Sequence, residues 1–212
     1  MLISLGLFLL ALLPRTYDLY RFVTADEAKW VYRSAQFLAA FLQGDFAGTS
    51  VNLTPAVTTT WLGSLGLAIY YGLHQHVIGM PFEAWLLSLP EFRVDLPVLV
   101  ATRWPMSILT ALGVVVLYWA ARPLVGRAVA LLAAVFVAFS PHALALSRIL
   151  GHDAPTALFM PLSLLLMLGA LRYEARKPLV WVILSGCAAG LAFLSKAPAL
   201  FLIPFIALLL AV

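Results

Sequence analysis

The chain has 212 residues, of which 64% are apolar and 10% charged, with a formal net charge of +4 and a mean hydropathy of +1.02. Soluble domains carry about 25% charged residues, so this composition excludes an ordinary soluble fold and points to an integral membrane protein. The basic residues are scattered between apolar runs and form no stripe of the kind nucleic-acid binding needs, and the single cysteine, Cys187, excludes an internal disulfide and a paired-cysteine metal site.

The first apolar run, Leu2 to Leu13, ends in Pro14-Arg15 without a basic leader or a small-residue cleavage site, and so reads as an uncleaved span rather than a signal peptide. Thr24-Ala25-Asp26-Glu27 then opens a helix. Thr24 is the expected cap and Glu27, three residues on, completes a capping box. The helix is predicted to run to about Gly44. Asp26, Lys29, Arg33, Gln36 and Gln43 form its polar side, and Trp30, Val31, Phe37, Leu38 and Phe41 the opposite stripe, the pattern of a helix lying along a membrane surface.

The segment Val57 to Leu73 is apolar but carries three threonines and three glycines and opens into His74-Gln75-His76, so it is expected to lie at the interface without crossing. The two histidines are spaced poorly for a helical metal site and read as solvated. Asn52-Leu53-Thr54 fits a glycosylation acceptor by pattern. Further spans are predicted at about Trp104 to Ala121, Val125 to Phe139, Ala154 to Leu171, Leu179 to Leu194 and Ala199 to Val212, six in all with the first. The chain is then an all-α polytopic bundle with amphipathic helices in a first loop of about residues 15–103. It ends inside an apolar run, as the amino-terminal part of a longer membrane domain would.

Short loops fix orientation. Arg122 to Arg127 and Arg172 to Lys177 hold five basic residues against Glu174, which puts both in the cytoplasm. The turn His142 to Asp153 then lies outside, and by the same crossing count so do Asp26, Glu27 and Lys196. Each has a bland reading. Asp26, Glu27 and Asp153 can serve helix N-termini, and a lysine at a span end commonly snorkels to the interface. Against this, Arg148 and His152 share the turn with Asp153, and ionisable groups at a membrane domain's edge are costly and usually functional. Carboxylates and cations gathered on one face suit a phosphorylated, membrane-held substrate, the acids handling protons or a metal and the cations holding phosphate.

With these positions assembled, the chain resembles the amino-terminal half of GT-C fold glycosyltransferases, in the family that includes protein O-mannosyltransferases and lipid A aminoarabinose transferases. The resemblance is carried by Arg15, Asp26-Glu27, the run Thr54-Pro55-Ala56-Val57-Thr58-Thr59-Thr60-Trp61, Arg103, Ser147-Arg148 before His152-Asp153, and Gly190 to Lys196. The family often has His-Pro-Pro or His-Pro-Gly where Thr54-Pro55-Ala56 stands. The resemblance implies inverting transfer of a sugar from a polyprenyl-phosphate donor to a protein, lipid or glycan acceptor at the extracytoplasmic face of the plasma membrane. It makes Asp26 the general base and has Asp153 assist at the acceptor or at a divalent metal ion. Lys196 and Arg148 would hold the leaving phosphate, with Glu27 mainly capping and, like His152, available to substrate. The residues alone also admit a transporter or flippase-like protein using Asp26 and Asp153 for an ion or substrate. That reading prefers acids near the bilayer midplane, whereas these stand at span ends.

Overall fold

The computed structural model describes residues 2–51, 55–172 and 178–211. The Asn52-Leu53-Thr54 acceptor pattern, the first residue of the Thr54 motif, and Glu174, Arg176 and Lys177 of the basic loop lie outside the described residues. Those described form ten α-helices and no strand: α1 (Leu2–Thr16), α2 (Glu27–Leu42), α3 (Val57–Ile78), α4 (Phe82–Ser88), α5 (Leu96–Val125), α6 (Arg127–Phe139), α7 (Pro141–Ser147), α8 (Asp153–Leu171), α9 (Pro178–Ser195) and α10 (Leu202–Ala211), with a 3-10 turn at Ala197–Phe201 before the last.

Three of these helices, α5, α8 and α9, are long and apolar enough to cross a membrane, and α6 with α7 makes a fourth candidate, bent by 59°. The bend falls at Ser140-Pro141. A proline there supplies no N–H to continue the ladder, and Ser140 Oγ instead accepts from the Ala143 amide. α1 and the segment Ala197–Leu210 are shorter apolar helices. At 30 residues, α5 is about 45 Å long at 1.5 Å per residue, longer than a hydrocarbon core of about 30 Å. Its first turns, at Val98 and Leu99, are buried against other helices.

Contacts at the helix ends order the bundle. Trp119 Nε1 donates to Ser4 Oγ at 3.0 Å, joining the start of α1 to the end of α5. At the opposite end Arg15 Nη1 donates to the Ala138 carbonyl at 3.0 Å, and Ser107 Oγ reaches the carbonyls of Arg15 and Ser147. α8 and α9 run antiparallel, clasped midway by Ser163 and Ser185, whose hydroxyls each donate to the other's carbonyl at 3.0 and 2.8 Å. The ends of α1, α6 and α9 and the starts of α5 and α8 thus share one end of the molecule.

On that end sits a lobe made of α2, α3, α4, the first turns of α5 and the turn before α8, around Trp30, Val31, Leu67, Trp85, Leu99 and Leu150. α3 belongs to it along its length. Thr58 near its start bonds Ser195 at the end of α9, Ser64 Oγ donates to the Ser34 carbonyl of α2, and Tyr70 and Tyr71 pack on Trp85 of α4. Its small residues permit this. A Cβ at Gly66 would come within 2.5 Å of the Ala101 carbonyl of α5. α3 is not among the helices apolar enough to cross. It runs five residues further than predicted, to Ile78, and Gly79 follows with a φ of +67° and an amide bond to the Gln75 carbonyl that form a glycine cap.

Candidate functional site

The lobe is pinned by one carboxylate. Glu27, the first residue of α2, is fully buried, and five donors converge on it. Arg103 Nε and Nη2 grip it side-on at 2.7 and 2.6 Å, Thr24 N and Oγ1 donate to Oε2 at 2.9 and 3.2 Å, and the Leu150 amide donates to Oε1 at 3.0 Å. The rest of the Arg103 guanidinium is filled by the carbonyls of Leu19, Arg21 and Phe22. The loop before α2 curls to present them, and that curl puts Asp18 and Phe22 in the left-handed region at φ 54° and 57°. The predicted capping box is therefore half formed. The Glu27 side chain reaches back to the Thr24 amide, but its other bonds go to α5 and to the turn before α8, and its carboxylate faces the interior of the lobe.

Asp26 is one residue away in sequence and opposite in setting. It occupies the N-cap position, yet its side chain makes no cap hydrogen bond and is exposed. Capping therefore does not account for it. Because the Leu150 amide and the base of α2 share the Glu27 carboxylate, the turn carrying His152 and Asp153 is held beside Asp26.

Lys196 comes to the same place from α9. Ser195 is buried, with its hydroxyl bonded to the Leu191 carbonyl and to Thr58 at 2.7 Å, and the chain turns extended at Lys196 ahead of Pro198. Lys196 Nζ then meets Asp153 Oδ1 at 2.6 Å, both side chains being half-exposed. A lysine merely reaching for water would not stop on a carboxylate 43 residues earlier in the chain.

His152 stands among these groups. Its ring meets Trp30 edge-on at 5.2 Å, and its buried Nδ1 has no partner among the described residues. Burial pushes its pKa below the ordinary 6.5; Lys196 and Arg33 push the same way, while Asp153 and Asp26 oppose them. Among the described residues no three His, Cys, Asp or Glu side chains are grouped to hold a metal ion.

Two features differ from the sequence reading. Trp30 does not lie opposite Asp26: four residues apart on a helix they share a face, and the Arg33 guanidinium lies 4.9 Å over the Trp30 ring. Arg33 thereby joins the site, which its spacing of seven from Asp26 could have signalled. Lys29 instead sits 6.0 Å over the ring of Phe92. Arg148 is placed elsewhere: its Nη2 donates to the carbonyls of Tyr17 and Asp18, in the wall of a separate cavity with Leu19, Arg21 and Arg103.

The cluster so assembled is two carboxylates, two cations and a neutral imidazole at one end of an apolar helical bundle. It can accept a proton at Asp26 and hold an anion at the cations. No curated protein and no solved structure matches the chain. The family model described as dolichyl-phosphate-mannose-protein mannosyltransferase matches residues 79–212, which carry Asp153 and Lys196, while Asp26 and Glu27 precede the match. With more than half its length matched, and with the all-helical membrane architecture described above, the chain belongs to the dolichyl-phosphate-mannose-protein mannosyltransferase family, membrane glycosyltransferases of the GT-C type.

Proposed function

We propose that this end of the bundle is the extracytoplasmic face of a plasma-membrane enzyme that moves a sugar from a polyprenyl-phosphate donor to an acceptor hydroxyl. The observation that carries the reading is Asp26: an exposed carboxylate, uncommitted to its own helix, held beside the Asp153–Lys196 pair by a buried ion pair at Glu27. An acceptor alcohol needs a base as its oxygen attacks the anomeric carbon, and in this reading the exposed carboxylate of Asp26 takes that proton. The departing lipid phosphate needs fixed positive charge, which Lys196 supplies. Asp153 orients Lys196 and, with the neutral His152, lines the acceptor side. Glu27 acts through Asp26, as a positioning residue. Arg148 supports the loop before α2.

A transporter reading places its acids at the bilayer midplane, whereas Asp26 and Asp153 both open helices at the bundle's end. The test is transfer of labelled sugar from polyprenyl phosphate by the full chain in membranes. Asp26→Asn keeps the shape of the side chain but removes the proton acceptor, so turnover should fall by about 10²- to 10⁴-fold. A fully active Asp26→Asn enzyme would remove the base assignment.

A further inference from the structure

Charge bookkeeping across the proposed transfer calls for one more cation than Lys196. The bond between the anomeric carbon and the phosphate oxygen breaks, and its electron pair stays on that oxygen. The acceptor oxygen bonds to the anomeric carbon, and the acceptor's proton goes to Asp26. The donor enters as a phosphodiester with a single negative charge and departs as a polyprenyl phosphate monoester, which approaches two negative charges near neutral pH because the second pKa of such a phosphate is about 6. The phosphate gains a charge as Asp26 loses one. Lys196 enters this step with its ammonium already on Asp153 at 2.6 Å, so a carboxylate competes with the phosphate for it.

We propose that Arg33 is the second phosphate-binding cation of this site, gripping the donor phosphate as it becomes a dianion. The assignment rests on the glycosyl-transfer reading above and deepens it. Among the described residues no carboxylate lies within 4 Å of the Arg33 guanidinium, in contrast to Arg103, Arg21 and Lys196. Arg33 is not loose either. Its Cζ lies 4.9 Å over the ring of Trp30, which is only 6% exposed and is braced edge-on by His152, so the guanidinium rests on a buried platform. A guanidinium without a carboxylate partner offers paired N–H groups that match two phosphate oxygens.

Its place on α2 suits the reaction. Asp26, Trp30 and Arg33 follow at steps of four and three and share a face. At 1.5 Å per residue, Arg33 stands about 10 Å along the helix from Asp26. In an inverting displacement the attacking and leaving oxygens lie on opposite sides of the anomeric carbon. The base sits beyond the attacking oxygen and the phosphate clamp beyond the leaving oxygen, so the step needs the two set apart along one line rather than side by side. Beyond Arg33 the same helix reaches Phe37, in the wall of a small cavity shared with Ala56, Val57 and Thr60 at the start of α3.

The experiment measures binding of polyprenyl phosphate, and separately of uncharged polyprenol and of inorganic phosphate, to the full chain in detergent or nanodiscs. It uses wild type, Asp26→Asn, Arg33→Ala and Arg33→Lys. Losing a charge-assisted contact should weaken polyprenyl phosphate binding by about ten- to hundred-fold in Arg33→Ala. Arg33→Lys, which keeps the charge and loses the fork, should fall between. Polyprenol binding should not move, and in turnover assays the donor KM should rise. Asp26→Asn should bind polyprenyl phosphate as wild type does. A uniform loss across polyprenol and polyprenyl phosphate would mean a general defect of the fold and overturn the assignment, as would unchanged polyprenyl phosphate affinity in Arg33→Ala. If wild type prefers inorganic phosphate, or fails to bind polyprenyl phosphate, the transfer reading falls and this assignment falls with it. Normal turnover with unchanged donor KM in Arg33→Ala would refute Arg33 alone.

Discussion

Glu27→Gln is the substitution with the sharpest structural consequence. Five hydrogens point at the Glu27 carboxylate, two from Arg103, two from Thr24 and one from Leu150; those from Arg103 and Leu150 are buried with it and those from Thr24 partly so. A glutamine offers one oxygen. Its NH2 group would face either Arg103 Nε and the Leu150 amide or Arg103 Nη2 and the Thr24 donors, so at least two donors, one or more of them buried, lose their acceptor. The guanidinium, 1% exposed, also loses its only counter-charge among the described residues. Breaking a buried pair by removing one partner costs about 3–5 kcal/mol. In a chain of this size 1 kcal/mol moves Tm by about 2–4 °C, so Glu27→Gln should lower it by roughly 6–20 °C. The assay is thermal unfolding of the purified protein in one fixed detergent, with Asp26→Asn alongside. Asp26 makes no such bonds, and its substitution should leave Tm within about 2 °C. Replacing Glu27 and Arg103 together by methionine should recover part of the loss, because an apolar pair needs no charge balance, though the loop carbonyls then lose their donor. Equal melting of Glu27→Gln and wild type would refute the pinning role of this carboxylate.

Lys196→Ala should raise the donor concentration required and slow release of the leaving phosphate. Its effect on stability should stay within about 1 kcal/mol, since the Asp153 pair is half-exposed and screened; kinetics and melting of one preparation check both. His152 gives a pH signature. Its folded pKa lies below the unfolded 6.5, so the unfolded chain binds the extra proton first, and stability should be constant at higher pH and decline as pH drops below about 6.5 through the folded pKa. His152→Gln should flatten that part of the Tm–pH profile, and an unchanged slope would assign it to other groups. For α3, single cysteines at the exposed Ser50 and Val77 in a Cys187→Ser background should react with an impermeant thiol reagent from the same side of sealed vesicles. Labelling from opposite sides would make α3 a span.

The apolar runs that became α5, α6, α8 and α9 were legible because lipid solvent imposes one rule on every residue of a span. α4 and α7 were not, being seven residues each and too short to show a period. The start of α5 at Leu96, eight residues before the predicted Trp104, is set by its packing against α3, which a hydropathy window does not register. Asp26, Asp153 and Lys196 stood out because charge is scarce here. What no local pattern could show is that Asp26 and Glu27, adjacent and chemically alike, face opposite ways. That difference is decided by Arg103, 76 residues on, and by an amide 123 residues on. Arg148 was assigned by its neighbours in sequence, but its partners are carbonyls of the first loop.

The same long reach bears on how the protein is made. A chain that emerges from its amino terminus delivers Glu27 well before Arg103, and Arg103 well before the Leu150 amide. Until α5 arrives, α2 carries an acid with no counter-charge, and its apolar side has no lobe to cover it. Until the turn before α8 follows, one of the carboxylate's five donors is missing. The two acid-bearing turns acquire a fixed separation only after seven helices, α1 to α7, have been synthesised, through distant contacts of the kind that slows folding. Assembly of the proposed site thus waits on residues more than a hundred positions downstream of Asp26, so a nascent chain stalled before residue 103 has Asp26 but no lobe to hold it.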